Sequence, residues 1–169
     1  TGETYLSLPQ TTLNTIESLS ISAWIQLNTN EKGQQLFDFS SSSTSHFSTE
    51  TAADNKIEIN LEQGSKSISA SIPDVASSDW QHLVIVIDFT AQNLETYLNG
   101  SLIAKQPTAT LDLNSFFDTE SNQLTVGKKV NGLLHDFRIY RIPLRQNQIE
   151  TIYNNALGKE EAVVNERHE

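Results

Sequence analysis

Gly132-Leu133-Leu134-His135-Asp136-Phe137-Arg138-Ile139-Tyr140-Arg141, followed by Pro143-Leu144 and then Gln148-Ile149-Glu150-Thr151-Ile152-Tyr153, is the stretch that decides the fold class. A glycine opens it, and apolar and polar residues then alternate with the period of a β-strand. Past the proline the period changes. Ile149, Ile152, Tyr153 and Ala156 fall at helical spacing, and Gly158 supplies a stop. The spacing therefore predicts a closing strand and a short amphipathic helix from Gln146 to Leu157.

Upstream of that stretch the period-2 signal continues. Tyr5, Leu6 and Leu8 read as a first edge strand ending at Pro9. In Leu19–Leu27 (LSISAWIQL), Leu19, Ile21, Ala23, Ile25 and Leu27 share one face, and Ser20, Ser22, Trp24 and Gln26 share the other. Leu36 to Phe39 predicts a third strand, ending in the serine run Ser40–Ser45, which reads as a loop. Lys56–Glu62 (KIEINLE) alternates cleanly and pairs with Ser67–Ile72 across Gly64. Trp80–Phe89 (WQHLVIVIDF) is apolar on both faces in its middle, as a central strand would be. Leu94–Leu98 and Ser101–Ala104 flank Asn99-Gly100, the dipeptide of a tight hairpin turn. Gln123–Gly127 and Leu133–Tyr140 complete the set, and no fixed-period repeat is present. Many short strands with no β-α-β alternation predict an all-β fold: a two-sheet antiparallel jelly-roll sandwich with one short C-terminal helix. Residues 1–158 form the sandwich on this reading, and residues 159–169 a charged tail or linker.

The composition narrows the function. At 169 residues the chain is one domain of ordinary size. A formal charge of −10 argues against nucleic acid and against anionic membranes, both of which require a basic footprint. The absence of cysteine removes disulfides and thiolate metal sites and suits a bacterial envelope protein. No run approaches the ~20 apolar residues of a membrane span, so membrane insertion is not expected. Methionine is missing even at position 1, which reads as a processed chain or a part of a larger one.

Four pieces in order resemble the laminin-G-like domain of the concanavalin-A-like lectin/glucanase superfamily. Ile21-Ser22-Ala23-Trp24-Ile25 looks like the family's early strand with its tryptophan, and Trp80-Gln81-His82-Leu83-Val84 like its "W-x-H-V-A" strand. Leu98-Asn99-Gly100 is similar to its "L-N-G" hairpin. Gly132–Tyr140 with the helix after it is similar to "G-x-I-D-D-V-R-I-Y" and the closing helix. The resemblance implies a concanavalin-A-like sandwich that acts as a noncatalytic recognition module of a secreted, periplasmic or cell-surface protein. Its partner would be a carbohydrate or a protein surface.

Three constellations carry candidate chemistry. Glu58, Asn60 and Glu62 share a strand face, and the pattern is similar to the "E-I-D-x-E" strand of retaining glucanases in the same superfamily. A glycoside hydrolase-like enzyme using Glu58 and Glu62 is the alternative this raises, although Asn60 replaces the central carboxylate. A single structural calcium is implied by the family's acidic pair and its N-terminal loop. Here only Glu3 and Asp136 remain as ligands, because His135 stands where the first Asp would be. The expectation is thus no cofactor, or one calcium.

The third constellation lies in the stretches Ser40–Asn55 and Asn114–Asn122, which read as polar loops where His46, Phe47, Asn55, Phe116 and Phe117 would contact a ligand. Phe residues in loops equally serve to cap core ends. His82, two residues from Trp80, reads as a packed histidine bonded to backbone, and Arg138 as the partner of a cross-strand carboxylate. A purely structural accessory domain of a larger chain is the remaining alternative.

Overall fold

The computed structural model describes residues 5–8, 16–28, 31–41, 45–75, 78–117 and 122–156. The segment 159–169 lies outside them. Eleven strands run through the described residues: β1 (Leu6–Leu8), β2 (Ser18–Leu27), β3 (Gln35–Ser41), β4 (Ser45–Ala52), β5 (Lys56–Gln63), β6 (Lys66–Ile72), β7 (Gln81–Asp88), β8 (Asn93–Leu98), β9 (Ser101–Pro107), β10 (Asn122–Lys128) and β11 (Gly132–Tyr140). All pairings are antiparallel. They form a six-stranded sheet in the order β1-β10-β3-β4-β5-β6 and a five-stranded sheet in the order β11-β2-β7-β8-β9. The expected jelly-roll sandwich is the observed architecture.

Alternation drives the packing. Leu19, Ile21, Ala23, Ile25 and Leu27 of β2 and Leu83, Ile85 and Ile87 of β7 point inward. They meet Phe37, Phe39, Phe47, Ile57, Ile59 and Leu61 of the other sheet. Each such side chain contributes roughly 1.5–3 kcal/mol by leaving water. β7 is buried at every position. Its outward residues Val84 and Val86 lie in a second apolar cluster with Tyr97, Leu144 and Ile149, and Ile152 packs against it.

That second cluster is the seat of the C-terminal helix, residues 146–156 (α2). Arg145 caps it: the Ile149 amide donates to its carbonyl at 3.0 Å, and its own amide donates to Gln148 Oε1 at 2.8 Å. The segment leading into α2 is latched to β2 by one hydroxyl. Ser20 Oγ donates to the Ile142 carbonyl at 2.7 Å and accepts from the Leu144 amide at 2.9 Å. A larger residue at Ser20, which is fully buried, would push this segment off the sheet.

Two expectations need correction. The stretch read as a polar loop from Ser40 contains β4. Its inward positions include Thr49 and Thr51 as well as Phe47, so hydroxyl groups hid the alternation. A single helical turn, α1 (Leu113–Phe116), was also not expected; Asp112 caps it by accepting from the Ser115 amide at 3.4 Å. The Asn99-Gly100 hairpin is as anticipated, with φ of 52° and 80°.

The closing strand departs from strict alternation. Its register against β2 shifts between His135 and Arg138, where Asp136 takes φ 52°. The bulge turns Phe137 inward, 5.5 Å from the Phe37 ring, and leaves His135 and Arg138 opposite Trp24 and Ser22 on the outer face. Gly132 starts the strand with φ 155°, and a Cβ there would lie 2.1 Å from the Gln26 carbonyl oxygen and 2.9 Å from Leu27 Cα. Only glycine lets β11 approach β2 this closely. Gly132→Ala is therefore expected to destabilise the fold by about 3 kcal/mol or more. Gly64→Ala, at φ 61° with open space around it, should cost about 1–2 kcal/mol. Urea denaturation of the two variants checks this; equal losses would remove the close-approach argument.

Candidate functional site

The two sheets present different outer faces. On the six-stranded sheet the outward side chains are polar, and the register aligns them in rows. One row runs Ser7, Thr125, Asp38, Ser48, Asn60, Ser69 across all six strands. At about 4.8 Å per strand it spans about 24 Å. A parallel row runs Gln123, Ser40, His46, Glu62, Ser67. Glu58 faces Glu50 and Ser71 one step further along. Among the described residues no apolar cluster lies on this face, whereas α2 covers much of the opposite one.

His46 organises the centre of the polar face. Its Nε2 lies 2.8 Å from Asp38 Oδ2 and its Nδ1 3.7 Å from Glu62 Oε2. Ser69 donates to Asn60 Oδ1 at 2.7 Å, which fixes that amide. The result is a lattice of donors and acceptors on a rigid backbone. Among the described residues the carboxylates Asp38, Glu50, Glu58 and Glu62 outnumber the lysines Lys56 and Lys128 that the register places with them. The field there disfavours anions.

The residues expected to bind ligand are not brought together. His46 stands on the polar face with its side chain 41% exposed. Phe47 follows it on β4 and so points inward, fully buried. Phe116 and Phe117 are buried as well. Their rings lie 4.8 Å apart, and Phe117 also packs against Phe39 at 5.0 Å and Phe89 at 6.0 Å. These three rings close the core and cannot stack on a ligand, because the loop they were assigned to is a strand and a core-capping turn. Asn55 takes φ 56° in the β4–β5 turn, and its carbonyl accepts from the Val75 amide at 2.9 Å. It lies at the far end of β4 from His46, about 20 Å away by strand rise. Asp38, Ser48 and Ser69 were missed. Asp38 was visible between Phe37 and Phe39, but Ser48 required β4 itself.

Glu58 and Glu62 do share the outer face with Asn60. Their Cα atoms are four residues apart, about 13 Å, and Glu62 leans sideways toward His46. Retaining hydrolysis needs two carboxyl groups about 5–5.5 Å apart. Asn60 stands between them as a hydrogen-bonded amide. As for calcium, Glu3 lies outside the described residues. Asp136 Oδ1 accepts from Arg138 Nε at 2.8 Å, a same-strand pair across the bulge where a cross-strand one was expected. Among the described residues there is no group of three or more His, Asp or Glu side chains that could hold a metal ion.

The five-stranded sheet carries the perturbed groups. His82 is buried between Trp24 and Tyr153, at ring distances of 5.1 and 6.1 Å, and Trp24 stacks on Tyr153 at 5.7 Å. Its Nε2 is bonded to Ser22 Oγ at 2.8 Å, a side-chain partner where a backbone one was expected, and its Nδ1 has no partner. Burial lowers its pKa from 6.5 to about 4, against the opposing pull of Asp136 and with a smaller push from Arg138. Burial, with the Glu95 carboxylate to which its hydroxyl donates, raises the Tyr97 phenol above its ordinary value. The Asp136 hydrogen bond raises the Arg138 guanidinium.

Two antiparallel sheets of six and five strands, the smaller one strapped by a terminal helix, define a concanavalin A-like sandwich. The chain belongs to the concanavalin A-like lectin/glucanases superfamily: a laminin-G family model with that description matches residues 1–150. Among curated proteins none matches the sequence. Solved structures share the fold at low identity. The botulinum neurotoxin serotype D binding domain matches with a TM-score of 0.71 at 19% identity, over 91% of this chain and 40% of that one. A heptameric SAP-like pentraxin from Limulus polyphemus matches at 0.65 and 17%, over 88% of this chain and 75% of that one. The binding domain of botulinum neurotoxin DC in complex with SialylT matches at 0.67 and 22%, over 83% and 36%. The chain thus spans well under half of the toxin domains it resembles.

The folded state keeps His82 neutral down to about pH 4, while the unfolded chain takes up that proton near 6.5. Between those values the unfolded state binds more protons, so stability falls as the pH drops from 6.5 toward 4. The expected loss approaches 3 kcal/mol at about 1.36 kcal/mol per pH unit. Replacing the group by His82→Asn should flatten that part of the profile, read as melting temperature against pH; an unchanged slope would mean that other groups set it.

Proposed function

We propose that this domain is a noncatalytic recognition module of a secreted or cell-envelope protein, and that it binds carbohydrate through the outer face of the six-stranded sheet. The observation that carries the reading is the uncovered lattice of hydroxyl, amide and carboxylate groups centred on His46, Asp38 and Asn60. Polyhydroxyl ligands are held by such arrays, because each hydroxyl both donates and accepts. The separation of Glu58 and Glu62 along β5, about 13 Å between Cα atoms, supports binding in place of hydrolysis by that pair. Family membership supports it in kind, and one solved structure that shares the fold is a binding domain in complex with SialylT. The acidic face favours neutral glycans over anionic ones.

A glycan array run in calcium and again in chelator tests the reading. Binding to neutral glycans is expected in both conditions. His46→Ala and Asn60→Ala should each weaken it about tenfold, or about 1.4 kcal/mol, with the melting temperature little changed. Binding lost in chelator would bring Glu3 and Asp136 back as calcium ligands. Binding to a protein surface alone, or to nothing, would replace the carbohydrate reading by a protein-docking or spacer role.

A further inference from the structure

Trp80 is the one tryptophan left in water. It is 44% exposed, whereas Trp24 is 8% exposed. Its ring meets the exposed His135 imidazole edge-on, at 6.2 Å and 71°. The β2–β7 register ends at Ile25–Gln81; carried on by one position, it puts Trp80 opposite Gln26, whose other neighbour is Leu133, 57% exposed. The approach to β7 is clamped. Gln26 Nε2 donates to the Ser78 carbonyl at 2.9 Å, and the Ser78 amide donates to the Leu27 carbonyl at 2.9 Å. Ser78 itself holds φ 66°.

We infer that Trp80, braced by His135, is a stacking subsite for the apolar face of a neutral pyranose, on the opposite sheet from the polar lattice. Three features point to a sugar ring. An indole held this way is pre-organised, so stacking on it costs little ordering entropy. Gln26 and His135 beside it can reach ring hydroxyls, and the exposed Leu133 next to Gln26 extends the apolar platform for the ring's C–H face. The bulge at Asp136 keeps His135 on this face beside Trp80 while sending Phe137 into the core. Neutrality follows from charge. Asp79 and Asp136 are exposed alongside, and Asp136 already pairs the nearby Arg138. A pyranose with all its hydroxyls equatorial offers the uninterrupted C–H face that an indole takes. This inference rests on the carbohydrate reading above but uses none of its residues.

The two tryptophans make the test specific. The intact chain is titrated with soluble β-1,4-linked tetramers of glucose, N-acetylglucosamine and xylose, and the two indole Nε1–H resonances are followed by NMR. At least one tetramer is expected to shift the Trp80 signal and leave that of Trp24 in place. Trp80→Ala should weaken binding about tenfold or more, and Trp80→Phe should recover part of it. Asn60→Ala should leave the Trp80 response unchanged, so failure of the polar-face reading stays distinguishable from failure of this one. A Trp80 signal unmoved by all three tetramers up to their solubility limits overturns the inference. A response to hexuronate oligomers in their place overturns it too.

Discussion

The backbone of Gly132 runs so close to Gln26 that no side chain fits between them, and much of the molecule follows from that approach. It lets β11 pair with β2 from its first residue and so ties the end of the chain to its beginning. From that pairing the strand emerges at Tyr140 beside Ser20, whose hydroxyl catches the Ile142 carbonyl and the Leu144 amide. The helix then has one place to lie, over Val84, Val86 and Tyr97. A single steric allowance near β2 therefore decides which sheet face is covered.

The covering of one face explains the difference between the two. Under α2 the outward residues of β2 and β7 are mostly small or apolar, and the histidine there, His82, is kept neutral by burial. The stack of Trp24, His82 and Tyr153 makes this region a structural seam. A histidine in this motif position invites a catalytic reading, but with 1% exposure it meets no substrate. Among the described residues nothing comparable lies on the six-stranded sheet, and its strands carry hydroxyls, amides and acids outward at no packing cost. The proposed sugar contacts fall on that face and on the rim of the other, where Trp80 stays exposed while Trp24 is covered by Tyr153 of α2.

The bulge in β11 shows how one irregular residue redistributes chemistry. Without it, His135 and Phe137 would lie on the same side of the strand. With Asp136 at positive φ, Phe137 joins the core against Phe37, and His135 stays outside beside Trp80. The same bulge brings Asp136 Oδ1 to Arg138 Nε.

The sequence alone determined the fold, because alternation at Leu19–Leu27, Lys56–Glu62 and Trp80–Phe89 reports directly which side chains leave water. It also determined the Asn99-Gly100 turn, the terminal helix and the shared face of Glu58, Asn60 and Glu62, all of which depend on local spacing. Only the tertiary structure decided the site. β4 hid behind inward threonines, so Phe47 was read as a loop aromatic and Ser48 was not read at all. Phe116 and Phe117 could be core caps or ligand platforms until the packing of Phe39 and Phe89 against them was known. Trp24 and Trp80 looked alike, yet α2 shelters one and stops short of the other. The physical reason is the same in each case: periodicity tells which face a residue occupies, but what covers that face depends on contacts between segments far apart in the chain.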